Sequence, residues 1–181
     1  MEHFKNDIDR ITEKFITSFG SLDESQLNWK PDTNVWSIAQ NIAHLIQLNS
    51  SYFKNFDEIK SGKHIIPEID TLQPFAIRSL QTLKPYTNID RIERANTWSM
   101  WQSAREEFGL KVLTEFTNHQ LDFKNHIEEL QIFLTRETFI KYPGETELIF
   151  RLEDCIDFLI LHENRHWVQA EEVKKNLMES K

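Results

Sequence analysis

The residues of greatest chemical interest are two histidines and a glutamate near the end of the chain, in the run His162-Glu163-Asn164-Arg165-His166. In a helix with 3.6 residues per turn, positions four apart share one face, roughly 6 Å from each other. Two imidazoles with this spacing can bind one metal ion through nitrogens at about 2.0–2.1 Å. A helix with two solvated histidines is the commoner origin of the pattern, so the motif alone leaves both interpretations open.

The motif is predicted to lie on the last of four helices, which spans about 150–178. Its apolar stripe consists of Leu152, Cys155, Ile156, Leu159, Trp167, Ala170 and Val173. On the helical wheel, both histidines lie at the edge of this stripe and Glu163 points into its middle. A buried carboxylate needs a partner, because the ionised form loses hydration worth several kcal/mol. The candidate partners are a metal ion, a metal-bound water, a ligating imidazole and Arg105.

A catalytic zinc site usually has three protein ligands, so a third ligand must be found. The zincin proteases that share the HExxH motif take it from downstream, as a glutamate about twenty residues on or in an HExxHxxGxxH extension. Here Trp167-Val168-Gln169 breaks that extension, and the sequence ends at Lys181. We also predict no strand that could hold a peptide. The protease interpretation is therefore disfavoured.

Apolar periodicity predicts two helices in the first third of the chain. The first spans about 3–19 and has an amphipathic pattern typical of a core helix. The second spans about 38–59, because Ser37 and Gln40 form a capping box in which each side chain satisfies a backbone amide of the first turn. Because the motif supplies only two ligands, the third must come from another helix.

The third helix is predicted from about 98 to 130, since one apolar stripe continues over that range and contains Arg105. Residues 61–97 carry several helix breakers without a sustained period, and we expect them to form one long crossover between helices two and three. The turn at Pro143-Gly144 separates the third helix from the fourth. Four long helices with one long crossover indicate an all-α fold, a four-helix bundle.

The composition favours a single domain spanning residues 1–181. Hydrophobic residues make up 39% of the chain and aromatic residues 12%, with four glycines and five prolines. Such a chain can bury a sizeable core and is poor in turn-forming residues. No apolar run is long enough for a membrane span, and the amino terminus lacks the basic and apolar segments of a secretory signal.

Charge and cysteine content narrow the expected partners and location. The net charge is −8 without a cluster of lysines or arginines, which argues against a nucleic-acid partner. A single cysteine, Cys155, excludes an intramolecular disulfide, and a reducing, cytoplasmic location is the simplest expectation. Cys155 lies on the predicted apolar stripe two turns before His162, where cysteine is usually a small core residue rather than a nucleophile.

Five further histidines are candidates for the third ligand: His3, His44, His64, His119 and His126. The first lies near the terminus and His64 in the predicted crossover. The pair on helix three fits one core-edge and one solvated imidazole. His44 lies two turns into helix two, but on a flank about 120° from its apolar centre. Helical periodicity taken alone therefore favours an exposed His44.

Two stretches together resemble the DinB/YfiT-like superfamily. They are Trp36-Ser37-Ile38-Ala39-Gln40-Asn41-Ile42-Ala43-His44-Leu45 and, more than a hundred residues later, the set His162, His166 and Gln169. The resemblance covers almost the whole chain. It implies a four-helix bundle with an up-down-down-up arrangement and a three-histidine site for a divalent metal. Carried over to this sequence, the implied ligands are His44, His162 and His166, and imidazole ligands favour zinc or nickel.

Several activities follow from the resemblance. Characterised members of this superfamily include transferases that use bacillithiol or a similar small thiol and a mycothiol-dependent isomerase. Others are described as metal-dependent hydrolases or stress-induced proteins. The corresponding prediction is a metal-dependent enzyme that adds a small thiol to an electrophilic co-substrate, with Glu163 orienting a ligand or carrying a proton.

The alternatives are a metal-dependent hydrolase and a metal-binding bundle without turnover. An open fourth coordination position would favour an enzyme, and closure of that position by a side chain would favour a structural site. A homodimer is the expected oligomeric state, on base rates alone.

Overall fold

The computed structural model describes residues 1–90, 101, 107–144 and 148–180, and this part of the chain is mostly helical. The helices are α1 (Glu2–Phe19), α2 (Glu24–Asn28), α3 (Ile38–Lys60), α4 (Leu72–Leu83), α5 (Lys111–Glu129), α6 (Gln131–Leu134) and α7 (Leu152–Glu179), and a 3-10 turn covers Lys84–Tyr86. Two short strands, β1 (Phe139–Lys141) and β2 (Ile149–Arg151), pair antiparallel. None of the helices in these ranges is long and apolar enough to cross a membrane.

The four long helices pack around a common interior. Helix α1 contacts α5 and α7, and α3 contacts the same two helices. The apolar core falls into two clusters, one around Phe15, Phe19 and Phe116 and the other around Tyr52, Phe56 and Phe123. Buried polar side chains of α3, α5 and α7 lie between the two clusters. This polar layer holds the histidines of interest.

The predicted starts and ends of the first two long helices are confirmed. Phe4, Ile8, Ile11, Phe15 and Phe19 form the buried face of α1. At the start of α3, the Ser37 hydroxyl accepts from the Gln40 amide at 3.1 Å, and the Gln40 side chain accepts from the Ser37 amide at 3.1 Å. A second capping box, formed by Asp23 and Gln26, begins the short helix α2 in the preceding connection.

The prediction of a long irregular crossover over 61–97 is wrong in its middle part, where α4 and the 3-10 turn lie. Pro74 is the third residue of α4, a position where the missing amide hydrogen breaks no helical hydrogen bond. The helix buries a narrow face formed by Ala76, Ser79 and Leu83. Proline here marks a helix start rather than a break. Residues 91–97 of the predicted crossover lie outside the described residues.

The predicted start of helix three near residue 98 is also wrong for the residues described. Helix α5 begins at Lys111, and residues 107–109 are not helical. The backbone of Phe108 instead pairs with the side chain of Asn28, donating to Oδ1 at 2.8 Å and accepting from Nδ2 at 2.7 Å. These bonds replace the helical ones at that point. Residues 98–100 and 102–106, including Arg105, lie outside the described residues.

A β-hairpin was not predicted. It joins α6 to α7, and the Pro143-Gly144 turn lies between its strands. Side chains cover both outer edges: at β1 the Lys141 amide donates to His64 Nε2 at 3.1 Å and its carbonyl accepts from Asn55 at 2.7 Å. At β2, the Ile149 amide donates to the Ser79 hydroxyl at 3.4 Å. Helix α7 accordingly begins at Leu152, two residues after its predicted start.

Candidate metal centre

Three histidines from two helices converge in the polar layer. His44 lies on α3, and His162 and His166 lie one turn apart on α7. All three are buried, with 2%, 5% and 5% of their surface exposed. One ring nitrogen of each lies within 4.8 Å of the corresponding nitrogens of the other two. Elsewhere in the described ranges, histidine, cysteine and carboxylate side chains form no further cluster of this kind.

The spacing of the ring nitrogens fits a single metal ion. His162 Nε2 and His166 Nε2 are 3.1 Å apart. Two nitrogens bound to one zinc ion at about 2.05 Å in a tetrahedral arrangement lie roughly 3.3 Å from each other. The His44 ring packs against both, with ring centroids 5.4 Å from His162 and 4.6 Å from His166. The residues present therefore suit a divalent ion that prefers imidazole ligands.

Hydrogen bonds fix two of the three imidazoles. His44 Nδ1 lies 3.0 Å from the carbonyl oxygen of Trp101, so Nδ1 must carry the proton and Nε2 the lone pair. His166 Nδ1 lies 2.8 Å from Asn41 Oδ1. The side-chain nitrogen of Asn41, Nδ2, donates to the Ser37 carbonyl at 2.9 Å, so the side-chain oxygen Oδ1 faces His166. Both histidines thus present Nε2 to the centre, as ligating histidines usually do.

We expect Asn41→Leu to weaken metal binding by about 10- to 100-fold, because His166 would lose the acceptor that orients its ring. Asn41→Asp keeps an oxygen at the same place and is the matched control, expected to bind at least as tightly as the parent protein. Competition titration with a chelator measures both affinities. Equal affinity of the leucine variant and the parent protein would show that the Asn41 bond does not orient His166.

Burial keeps all three imidazoles neutral. Removal from water lowers the pKa of His44 to about 4, with the hydrogen bond to Trp101 opposing the shift. It lowers the pKa of His162 and of His166 well below the ordinary value. A metal ion needs the deprotonated ring nitrogen. The three side chains are therefore ready to bind a cation at neutral pH without first releasing protons.

Aromatic rings surround the histidines. Trp36 stacks on His166, with ring centroids 5.9 Å apart, and Phe158 stacks on His162 at 5.6 Å. Beside His44 and His162 lies a cavity of about 30 Å³ that also touches Tyr86. A space of this size can hold a water molecule. On the side of His44 and His162, the histidine cluster therefore borders a space that side chains do not fill.

Glu163 is fully buried beside the cluster, as its wheel position predicts, and two side-chain amides that the sequence analysis did not name hold it. The carboxylate accepts from Asn49 Nδ2 at 2.6 Å and from Gln120 Nε2 at 2.9 Å. Burial raises the pKa of Glu163 to about 7, and the two amide donors oppose the shift. Two neutral amides from α3 and α5 thus hold the carboxylate. The expected partnership with a metal shell stays a prediction, and Arg105 lies outside the described residues. A catalytic role for Glu163 stays a prediction.

The expectation that His44 is exposed, from its helix alone, is wrong, because α7 and Trp101 cover the flank on which it lies. The other histidines lie apart from the cluster. His119 stacks on Phe53 with ring centroids 4.9 Å apart, and His126 packs against the same ring at 4.4 Å with the two planes tilted by 38°. His119 is buried rather than only at the core edge.

Cys155 is buried in the apolar cluster around Tyr52, as the sequence favours. Burial raises the pKa of its thiol well above the usual range, so the thiolate is scarce at neutral pH. It lies in a different part of the core from the histidines.

The sequence analysis did not identify three buried side-chain amides of the polar layer that bind the histidines or Glu163: Asn41, Asn49 and Gln120. Asn41 stands three residues before His44, close enough for the signal to be visible in the same stretch. The other two are polar residues on the inner faces of their helices, which a search for buried polar positions on apolar stripes would have found.

The fold and the cluster define a largely helical protein in which three buried histidines from two helices could hold a metal ion. The sequence model of the DinB superfamily matches residues 7–170, and the chain belongs to that superfamily. Among the curated proteins and the solved structures compared with it, none shows significant similarity to the chain.

Proposed function

We propose that the protein is a divalent-metal-dependent enzyme that transfers a small thiol to an electrophilic small molecule. In this proposal His44, His162 and His166 hold one zinc or nickel ion. The observation that carries it is the convergence of three buried, neutral imidazoles beside a cavity. When bound, the ion would lower the pKa of a thiol or a water so that the nucleophile exists at neutral pH.

The chain's own residues would perform the remaining tasks. Asn41 and the Trp101 carbonyl hold the ring planes of two of the histidines. Phe158 and Leu48 lie beside the cluster at the cavity and exclude bulk water from it. A dry site strengthens each electrostatic interaction inside it. The three histidines supply no negative charge, so a bound cation would keep its full double charge.

The hydrolase alternative uses the same histidines, with water in place of the thiol. A metal-binding bundle without turnover is the second alternative. The cavity beside His44 and His162 favours an enzyme over a closed structural site, because a purely structural site needs no space next to its ligands. Assays of the metal-loaded protein with a panel of small thiols and electrophiles, and with ester and amide substrates, distinguish the thiol transferase, the hydrolase and the bundle without turnover.

We infer further that the four long helices form a bundle with an up-down-down-up arrangement. Along α1 and α7 the numbers of the contacting residues rise together, so these two helices run parallel. Between α3 and α7, and between α5 and α1, the numbers rise on one helix as they fall on the other, so these pairs run antiparallel. The contacts in question are Lys14–Asn164, Ser18–Lys174, Asn41–His166, Asn49–Glu163, Asp9–Lys124 and Phe15–Phe116. The connection between α3 and α5 would be the crossover that such an order requires.

The protein, purified without a metal-affinity tag, is expected to contain about one divalent ion per chain, or to take up one equivalent on addition of zinc or nickel. Elemental analysis of the protein after desalting measures this ratio. A protein that retains no stoichiometric metal after incubation with either ion would refute the proposed site.

A further inference from the structure

His64 fastens the connection between α3 and α4 to the β-hairpin. It stands just after the end of α3, and its side chain is 5% exposed. Its Nε2 accepts a hydrogen bond from the Lys141 amide of β1 at 3.1 Å, and its Nδ1 lies 3.3 Å from Glu58 Oε2 on α3. One imidazole therefore joins the last turn of α3 to the outer edge of β1.

These two contacts define the tautomer of the neutral ring. A backbone N–H group can only donate, so Nε2 must hold its lone pair and Nδ1 must carry the proton. Nδ1 then donates to the Glu58 carboxylate. On the same edge, the Lys141 carbonyl accepts from Asn55 Nδ2 at 2.7 Å. Both outward-facing backbone groups of Lys141 thus have side-chain partners, which closes this edge to other strands.

Protonation of His64 removes the acceptor of the Lys141 amide. Both nitrogens of an imidazolium ring are donors, so Nε2–H and the Lys141 N–H would oppose each other at the present 3.1 Å. The bond to Glu58 gains strength instead, because the donor becomes charged. The protonated ring therefore stays with α3 and gives up its bond to β1.

The charges that act on His64 come from both elements that it joins. Burial lowers its pKa below the ordinary 6.5, Glu58 on α3 opposes the shift through its hydrogen bond and its charge, and Lys141 on β1 adds to the shift. Since the pKa is lower in the closed structure than in the open one, the open form binds the proton more tightly. The bond to β1 is thus fully present above pH 6.5 and is lost as the pH falls below that value.

We propose that His64 is an acid-sensitive latch, which closes the outer edge of β1 when its ring is neutral and releases that edge when the ring is protonated. The release is local. Inside the hairpin the Tyr142 amide donates to the Leu148 carbonyl at 2.8 Å, and no titrating group takes part in that bond. The latch uses no metal, so it is independent of the proposed function.

Hydrogen exchange of single amides, followed by NMR from about pH 8 to about pH 5, tests the latch. Each rate is divided by the intrinsic rate at the same pH, which gives a protection factor. We expect the protection of the Lys141 amide to fall by about threefold or more on acidification, in step with protonation of the His64 ring. The Tyr142 amide is the internal reference, and its protection should stay constant.

Three variants separate the latch from other effects of pH. His64→Gln places an amide oxygen at the reach of Nε2 but does not titrate, so the Lys141 amide should stay protected at every pH. His64→Ala has no acceptor, and its Lys141 amide should exchange fast throughout. His126→Ala is the matched control, because His126 is another partly buried histidine whose pKa burial lowers, and it lies on α5. Its removal should leave the pH profile of Lys141 unchanged.

Four results would overturn the latch. They are an equal fall of Lys141 protection in the parent protein and in His64→Gln, constant protection while the His64 ring protonates, a ring that stays neutral down to about pH 5, and a parallel fall at Tyr142, which would show that the whole hairpin loosens. If His64→Ala does not fold, the comparison of the parent protein with His64→Gln decides alone.

Discussion

Replacing any one of His44, His162 and His166 by alanine is expected to abolish stoichiometric metal binding. Three imidazoles share the binding free energy, and a zinc site in a small domain is worth about 10–16 kcal/mol, so loss of one ligand should weaken binding on the order of 10³-fold or more. Since all three rings are neutral and buried, their removal leaves no uncompensated charge. We therefore expect the variants to fold. Elemental analysis and chelator competition measure the loss.

The matched control is His126→Ala. His126 is a partly buried histidine on α5 that packs against Phe53 and lies outside the cluster. Its removal should leave the metal content unchanged. His64→Ala is a poorer control, because His64 accepts from the Lys141 amide and its loss would disturb the edge of β1. Full metal retention by His44→Ala would contradict a site shared between α3 and α7 and redirect the search for a third ligand to His119 or Glu163.

The parts of the fold that carry the site could be predicted because they depend on local signals. The capping box at Ser37 and Gln40 fixes the first residue of α3, and apolar periodicity gives the course of α1 and α7. The HExxH spacing placed two histidines on one face of α7 from helical geometry alone. Each of these signals spans a few turns at most, which is the range over which sequence patterns are reliable.

The features that were missed depend on contacts between distant residues. His44 lies on the polar flank of its own helix, and it is buried because Trp101, 57 residues away, and α7 cover that flank. The non-helical backbone at Phe108 depends on Asn28, 80 residues away. Helical periodicity contains no information on such pairs. The superfamily resemblance identified His44 because it joins the stretch around His44 to the distant motif on α7. A helical wheel describes one helix only and contains no such pairing.

The partners of Glu163 in the polar layer are likewise distant in sequence and could not be predicted from helical periodicity. Its wheel position predicts burial, yet the residues that hold it lie 114 and 43 positions away. Asn49 comes from α3 and Gln120 from α5, so the carboxylate links three of the four long helices at the level of the histidines. A role in fixing the relative positions of these helices, and hence of His44 against His162, follows from this geometry.

Two substitutions of Glu163 should have very different effects. Glu163→Leu leaves the buried amides of Asn49 and Gln120 without an acceptor, and we expect it to lower the free energy of unfolding by about 2–6 kcal/mol, counting 1–3 kcal/mol for each unsatisfied group. That is a large share of the 5–15 kcal/mol typical of a domain. Glu163→Gln should cost much less. The amide oxygens of Asn49 and Gln120 have no partner among the described residues, so rotation of one amide lets it accept from the new side chain. Urea denaturation compares the three proteins.

The same pair of variants separates a structural role of Glu163 from a catalytic one. Glu163→Gln keeps the shape and the links between the helices but cannot carry a proton. If the carboxylate transfers protons, the variant should lose about 10²-fold or more in turnover of the thiol-transfer or hydrolysis reaction found in the substrate assays. A Gln variant with full metal content, near-parental stability and unchanged turnover would assign Glu163 to the architecture of the polar layer alone. A stable, metal-loaded Gln variant with greatly reduced turnover would place its carboxylate in the reaction. If Glu163→Leu were as stable as the parent protein, the amide–carboxylate links would not be holding the three helices together.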